Sequence, residues 1–285
     1  MTLPNFLHIG DAKCGTTSIN HYLGQHPDIY LCPIKETNFF RYDATAALGT
    51  SLLDKHYDSL YRIRSLKDYE ELFNGVKNEK AIGEVGIYIG SSYACNKIRD
   101  LLPEVKLIAC LRNPADKALS LYYMHARDGF VLEPVKDAFA PDAFYVQECF
   151  HFEKIKRYFD TFPHEQIKLY LYDQFSSNPL EVMGDIFKFL EVDDNFAPDL
   201  EKRYNVAVFP KYRWLAAVVG RLRVSARRLP LYGEKLEEII YRYYAKTLTV
   251  PPEVPEETIF RLKALYRDDV LKVQELTSLD LSHWL

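Results

Sequence analysis

Phe6-Leu-His-Ile-Gly10-Asp-Ala-Lys13-Cys-Gly15-Thr16-Thr17-Ser18 runs from a short apolar strand through a glycine-bounded loop into a helical pattern carried by Ile19, Tyr22 and Leu23. The first turn of that helix holds three hydroxyl residues. Such a turn offers unpaired backbone N–H groups and the positive end of the helix dipole to an anion. Lys13 adds a full charge, and the Thr and Ser hydroxyls can donate to phosphate oxygens. The same residues also read as a plain β-to-α turn with Ser/Thr capping.

Working outward, apolar runs rich in β-branched and aromatic residues recur at 5–9, 29–32, 81–85, 105–111 and 167–172. Helix-length segments separate most of them, the pattern of βαβ units around a parallel sheet. Val105 to Leu111 is nearly all apolar, as a central strand covered on both faces must be. Helical periodicity marks 18–24, 115–127, 146–159 and 180–190, and from Arg213 onward the chain reads as helix only, best at 236–248 and 256–276. The spacing predicts one α/β domain over 1–285: a core to about residue 200, with a central parallel sheet flanked by helices, and a helical C-terminal extension from about 201.

The loop approaches the nucleotide-phosphate pattern G-x-x-x-x-G-K-[ST] without matching it, because position 16 is Thr and the only lysine, Lys13, precedes Gly15. The strand that would carry a magnesium-binding Asp in a nucleoside triphosphatase ends instead in Arg112-Asn113-Pro114. Asn113 is a good N-cap, Pro114 suits the first helical position, and Asp116 complements the dipole. Arg112 is then left at the carboxyl edge of the sheet, where open α/β folds bind ligands. Ser120 reads equally as a small helix-packing residue.

Of 285 residues, 48% are apolar and 27% charged, which fits a globular protein, and 36 basic against 40 acidic residues leave a net charge of −4. That balance argues against a general nucleic-acid binder. The charge is unevenly spread: Lys202 to Arg228 holds eight basic residues and no acid. Its first half is placed to cover an anion, and its arginine-rich second half reads as a solvated helix face. Cys14, Cys32, Cys95, Cys110 and Cys149 include no C-x-x-C pair, so they read as reduced thiols, with no disulfide framework and no metal site. No signal peptide or membrane-spanning stretch is evident, and a cytoplasmic location is expected.

Five motifs in register give the chain a family likeness. Lys13 to Ser18 reads K-x-G-T-T-S, His26-Pro27 follows, Lys35 to Phe40 reads K-E-x-x-F-F, Gly83-Glu84 precedes Tyr88, and Leu111 to Ser120 reads L-R-N-P-x-D-[KR]-A-x-S. Together they resemble the PAPS-dependent sulfotransferases, closest to the heparan-sulfate and carbohydrate branch and its soluble bacterial relatives. The likeness covers roughly residues 5–125, with a weaker echo at 170–190.

The resemblance implies a P-loop-like phosphosulfate-binding loop in which Lys13, Cys14, Gly15, Thr16, Thr17 and Ser18 surround the 5′-phosphosulfate of PAPS, while Arg112 and Ser120 bind its 3′-phosphate. No metal is implied. Lys13 would neutralise charge on the bridging oxygen as the S–O bond breaks, and Glu36 matches the catalytic glutamate that takes the acceptor's proton. Glu84 is a second choice, as base or acceptor-orienting group. His125, in an offset register, is a weak substrate-side candidate, and His8, His21 and His26 read as structural. Arg203 and Lys211 stand about where the family's nucleotide-closing loop would be. The expected reaction is sulfuryl transfer to a hydroxyl or amine of a small-molecule or saccharide acceptor. A P-loop kinase or NTPase, and a non-catalytic phosphate-ligand binder, remain the alternatives. Neither acceptor identity nor oligomeric state can be read from the chain.

Overall fold

The computed structural model describes residues 2–45, 63–131, 133–135, 137–200, 208–226 and 233–285. Five parallel strands form its centre: β1 (Phe6–His8), β2 (Ile29–Leu31), β3 (Ala81–Val85), β4 (Lys106–Leu111) and β5 (Ile167–Leu171), in the order β2-β3-β1-β4-β5. Leu7 pairs with Glu84 on one side and with Leu107 on the other. Because β1 is central, the loop that follows it opens where the strand order reverses, the usual ligand crevice of such sheets.

The two-residue side-chain period splits the sheet's apolar residues between two faces. Leu7, Leu107, Ala109 and Leu111 point into one core, shared with Ile98, Tyr122, Tyr158 and Tyr266. Phe6, Ile108 and Cys110 point into the other, with Ile19, Leu23, Met183, Ile186 and Phe187. Helices α1 (Thr16–Leu23) and α8 (Pro179–Phe189) cover this second face. The first face is covered by α3 (Ser92–Leu101), α4 (Pro114–Arg127), α6 (Phe152–Thr161) and α11 (Glu256–Thr277). The remaining described helices are α2 (Leu66–Glu71), α5 (Phe144–Gln147), α7 (Tyr172–Ser177), α9 (Arg213–Ala226) and α10 (Gly233–Ala245).

The strands fall where the apolar runs place them, but three details differ from expectation. The helix expected over 146–159 is two helices, α5 and α6. The carbonyl of Glu148 accepts from the ammonium groups of Lys117 (2.9 Å) and Lys154 (2.6 Å), while the Asp269 carboxylate takes the amides of His151 and Phe152 and restarts the helix. The C-terminal region is not helix only: β6 (Phe209–Pro210) pairs antiparallel with β7 (Leu248–Thr249). Nor is α11 an appendage, since its buried Leu262, Tyr266, Val270 and Val273 complete the first core.

Candidate active site

The carboxyl edge of the sheet gathers most of the candidate groups. The chain leaves β1 and turns at Gly10 (φ 44°), where a Cβ would lie 2.5 Å from the carbonyl oxygen of Gly86, so only glycine lets the loop come this close. Lys13 (φ 66°) and Gly15 (φ 79°) are also left-handed. Gly15 is the N-cap of α1 and no side chain caps the first turn. The hydroxyls of Thr16, Thr17 and Ser18 therefore do not cap this turn, and its first amides lie beyond the reach of the intrahelical ladder. The Cys14 thiol is buried and turned to the carbonyl of Ala12, leaving its backbone as its part of the loop.

Arg112 follows β4, and its Nη1 donates to the carbonyl oxygen of Lys13 at 2.9 Å. Its guanidinium lies 4.5 Å above the ring of Tyr172, at the start of α7. Asn113 caps α4 as expected, its Oδ1 accepting from the amides of Ala115 and Asp116, with Pro114 in the first turn and Ser120 half-buried further along the helix. Burial first, then the nearby charges of Arg127 and Arg112, push the Lys13 ammonium down to about 8.

Asp11 would bring negative charge to an anion-binding loop, but it is fully buried and paired with the equally buried Lys117. Burial alone would raise its pKa, yet Lys117, Lys154 and His151 together hold it below the usual carboxylate value. With Asp11 paired, Lys13, Arg112 and the helix dipole supply positive field at the mouth of α1.

Glu36 sits on a left-handed residue (φ 57°) after β2, tied to β3 by its amide, which donates to the Val85 carbonyl at 3.0 Å. Its carboxylate pairs with Lys35 through Oε1, and both side chains remain about a third exposed, 27% for Lys35 and 30% for Glu36. Glu84 lies wholly buried beneath that loop. It accepts from the Thr37 amide (3.0 Å) and hydroxyl (2.7 Å), from Tyr69 (2.8 Å) and from Tyr88 (2.6 Å). Burial raises its pKa while these donors oppose the rise. Four donors on one carboxylate suit a group that fixes the Glu36 loop, and Phe39 and Phe40 anchor the same loop against Tyr69.

The other candidates lie elsewhere or outside the described residues. His125 is buried among Phe130, Phe144 and Tyr145. Lys211 is exposed beside Tyr212, 5.5 Å from its ring, and Arg203 lies outside the described residues. His8 bonds the Tyr170 hydroxyl at 2.9 Å, and His26 packs on Phe187 and Phe196. Among the described residues no group of three or more His, Cys, Asp or Glu side chains could hold a metal ion, and no helix is long and apolar enough to cross a membrane. Sequence reasoning missed Asp11, Lys117, His151 and Tyr172. Lys117 occupies the K/R position of the L-R-N-P motif, and Tyr172 lies in the weaker echo at 170–190, so both stood in segments already marked.

A family model described as sulfotransferase domain matches residues 4–213. The membrane-associated sulfotransferase kil1 of Dictyostelium discoideum is 32% identical over 124 residues, 43% of this chain and 23% of that protein. Human bifunctional heparan sulfate N-deacetylase/N-sulfotransferase 2 is 29% identical over 125 residues, 44% of this chain and 13% of that protein. The match thus spans less than a quarter of either relative. A crystal structure of a sulfotransferase from Alicyclobacillus acidocaldarius superposes with TM-score 0.72 at 29% identity, covering 100% of this chain and 99% of that one. The sulfotransferase domain of the curacin biosynthetic pathway shares the fold at TM-score 0.51 and 14% identity, covering 94% of this chain and 99% of that one.

Proposed function

Because the chain belongs to the sulfotransferase domain family, we propose that it moves the sulfuryl group of PAPS to a hydroxyl or amine of a small-molecule or saccharide acceptor. The observation that carries this reading is the bond from Arg112 to the Lys13 carbonyl, which joins two basic motifs at the uncapped N-terminus of α1. The donor set suits a nucleotide that carries two separate anionic groups: the Arg112–Lys13 contact brings two basic residues to the uncapped first turn of α1, and the loop's only carboxylate is neutralised from within.

PAPS supplies an activated sulfuryl group whose transfer leaves PAP. Lys13 and the first-turn amides of α1 hold the phosphosulfate and neutralise charge as the S–O bond breaks. Arg112, with Ser120 on α4, takes the 3′-phosphate. Glu36 accepts the acceptor's proton as the new bond to sulfur forms in line with the bond that breaks. Lys35 occupies one of its oxygens and steadies the carboxylate, while Glu84 fixes the backbone that carries it. The five described cysteines are free and buried, which supports a reducing, cytoplasmic setting.

Thermal shift with PAP, ATP·Mg and GTP·Mg tests the reading. At 100 times Kd a ligand stabilises by about 2.7 kcal/mol, which raises Tm by several degrees. PAP alone should do so. Stabilisation by ATP or GTP with none by PAP would return the chain to the kinase or NTPase alternative.

A further inference from the structure

Helix α11 reaches the donor loop through three successive contacts. The Asp269 carboxylate accepts from the backbone amides of His151 (2.8 Å) and Phe152 (3.0 Å). The His151 ring is 1% exposed, and its Nε2 lies 2.8 Å from the carbonyl oxygen of Arg112. A carbonyl only accepts, so the ring is the Nε2–H tautomer and donates. Arg112 in turn donates to the carbonyl of Lys13.

We propose that His151 is a positioning residue for the donor site: its side chain fixes the Arg112 backbone, and α11, through Asp269, fixes His151. Two observations separate this role from that of an ordinary buried histidine. The Arg112 carbonyl lies just past the last paired residue of β4, so the β ladder does not hold it. The other contact of Arg112 is braced from the same end of the chain. The Trp284 indole donates to Asp173 Oδ2 at 2.9 Å, beside the Tyr172 on which Arg112 stacks, and its ring packs 6.2 Å from His151. Burial first, and then Lys117, push the His151 ring down to about 4 against the opposing effect of Asp11, whose Oδ2 lies 3.6 Å from Nδ1, so the ring stays neutral at pH 7.

The inference rests on the PAPS reading only for the identity of the ligand. The test compares the full chain with His151→Phe, which keeps ring bulk and loses the donor, and with His151→Gln, which restores an amide donor. Hydrogen exchange of peptides covering residues 9–19 and 112–117 should accelerate in the Phe variant and return toward wild type in the Gln variant. The Kd for PAP and the KM for PAPS should rise about tenfold in the Phe variant, equivalent to about 1.4 kcal/mol, with the acceptor's KM unchanged. Should His151→Phe fail to fold, Asp269→Asn is read in the same two ways. Unchanged exchange in the loop overturns the proposal whatever Tm does, as does unchanged PAP affinity where wild type binds PAP. If wild type does not bind PAP, the donor assignment fails while exchange still decides the role of His151.

Discussion

Arg112 donates to the carbonyl oxygen of Lys13 at 2.9 Å, so the base at the end of β4 and the lysine after β1 are held as one unit although 99 residues separate them. The strand order that sets β4 beside β1 makes the contact possible, and a guanidinium can reach a carbonyl with one nitrogen while presenting others to a ligand.

Arg112→Lys separates charge from geometry. Lysine keeps the cation but loses the planar fork and the stacking on Tyr172. Loss of one charge-assisted bond costs about 2 kcal/mol, or roughly thirtyfold in affinity. Calorimetry should show PAP binding weakened by that order, and a Kd within about twofold of wild type would take Arg112 out of the anion site.

Glu36→Gln keeps shape and removes the proton acceptor. Turnover should fall by about 10² to 10⁴, with the Kd for PAP nearly unchanged because glutamine keeps the side chain's shape and PAP binding needs no proton acceptor. Labelled-PAPS assays at saturating acceptor check the first expectation and calorimetry the second. Undiminished turnover would remove Glu36 from its role.

Lys13 sets the alkaline side of the pH profile. With its pKa pushed down to about 8, the free enzyme loses this positive charge as pH rises through that value, so kcat/KM for PAPS should decline there. A profile flat up to pH about 9.5 would show that the charge is not used. For stability the sign is opposite: a lysine depressed below its unfolded value near 10.4 penalises folding fully below about pH 8, and the penalty is relieved as pH rises between the two values.

The elements that a local pattern specifies were readable from the chain: the strand periods, the Asn113-Pro114 helix start, and the glycine-bounded loop that leads from β1 into α1. What was not readable depends on partners far apart in sequence. Glu84 reads as a candidate acceptor-side carboxylate at a strand end, and only the fold shows Thr37, Tyr69 and Tyr88 closing around it. The break between α5 and α6 has no glycine or proline to mark it. It exists because Lys117, Lys154 and Asp269 take up the backbone groups of Glu148, His151 and Phe152. Lys117 itself reads as a polar position on a helix, and its burial depends on Asp11 across the sheet edge.

That Asp11–Lys117 pair should behave as a coupled unit. Asp11→Asn leaves a buried ammonium without its counter-charge and should cost about 3–5 kcal/mol, whereas Asp11→Asn with Lys117→Met should recover much of it. Chemical denaturation of the two single variants and the double variant gives the coupling energy. Because the Asp11 pKa is lowered in the fold, the pair's contribution is present at neutral pH and is lost as pH falls below the unfolded value near 3.9. Additive losses would show the contact to be weak.

The arginine-rich stretch divides in a way that the sequence pattern hides. A solvated face was expected for Arg221, Arg223, Arg227 and Arg228. The last two lie outside the described residues, and Arg221 is exposed, but Arg223 is only 17% exposed and bridges Asp128 and Glu237, both at 3.0 Å. The backbone brings it there. A Cβ on Gly220 would lie 2.4 Å from the Asp128 carbonyl, so α9 meets the end of α4 at a distance that only glycine permits, and Arg223 is carried onto the Asp128 carboxylate. Arg221→Gln should therefore leave both stability and the KM for PAPS nearly unchanged, within about 0.5 kcal/mol for an exposed substitution. Arg223→Gln should cost about 2 kcal/mol through two carboxylates losing a charged donor, seen as a fall of several degrees in Tm. Equal effects from the two variants would show that α9 is held by apolar packing alone.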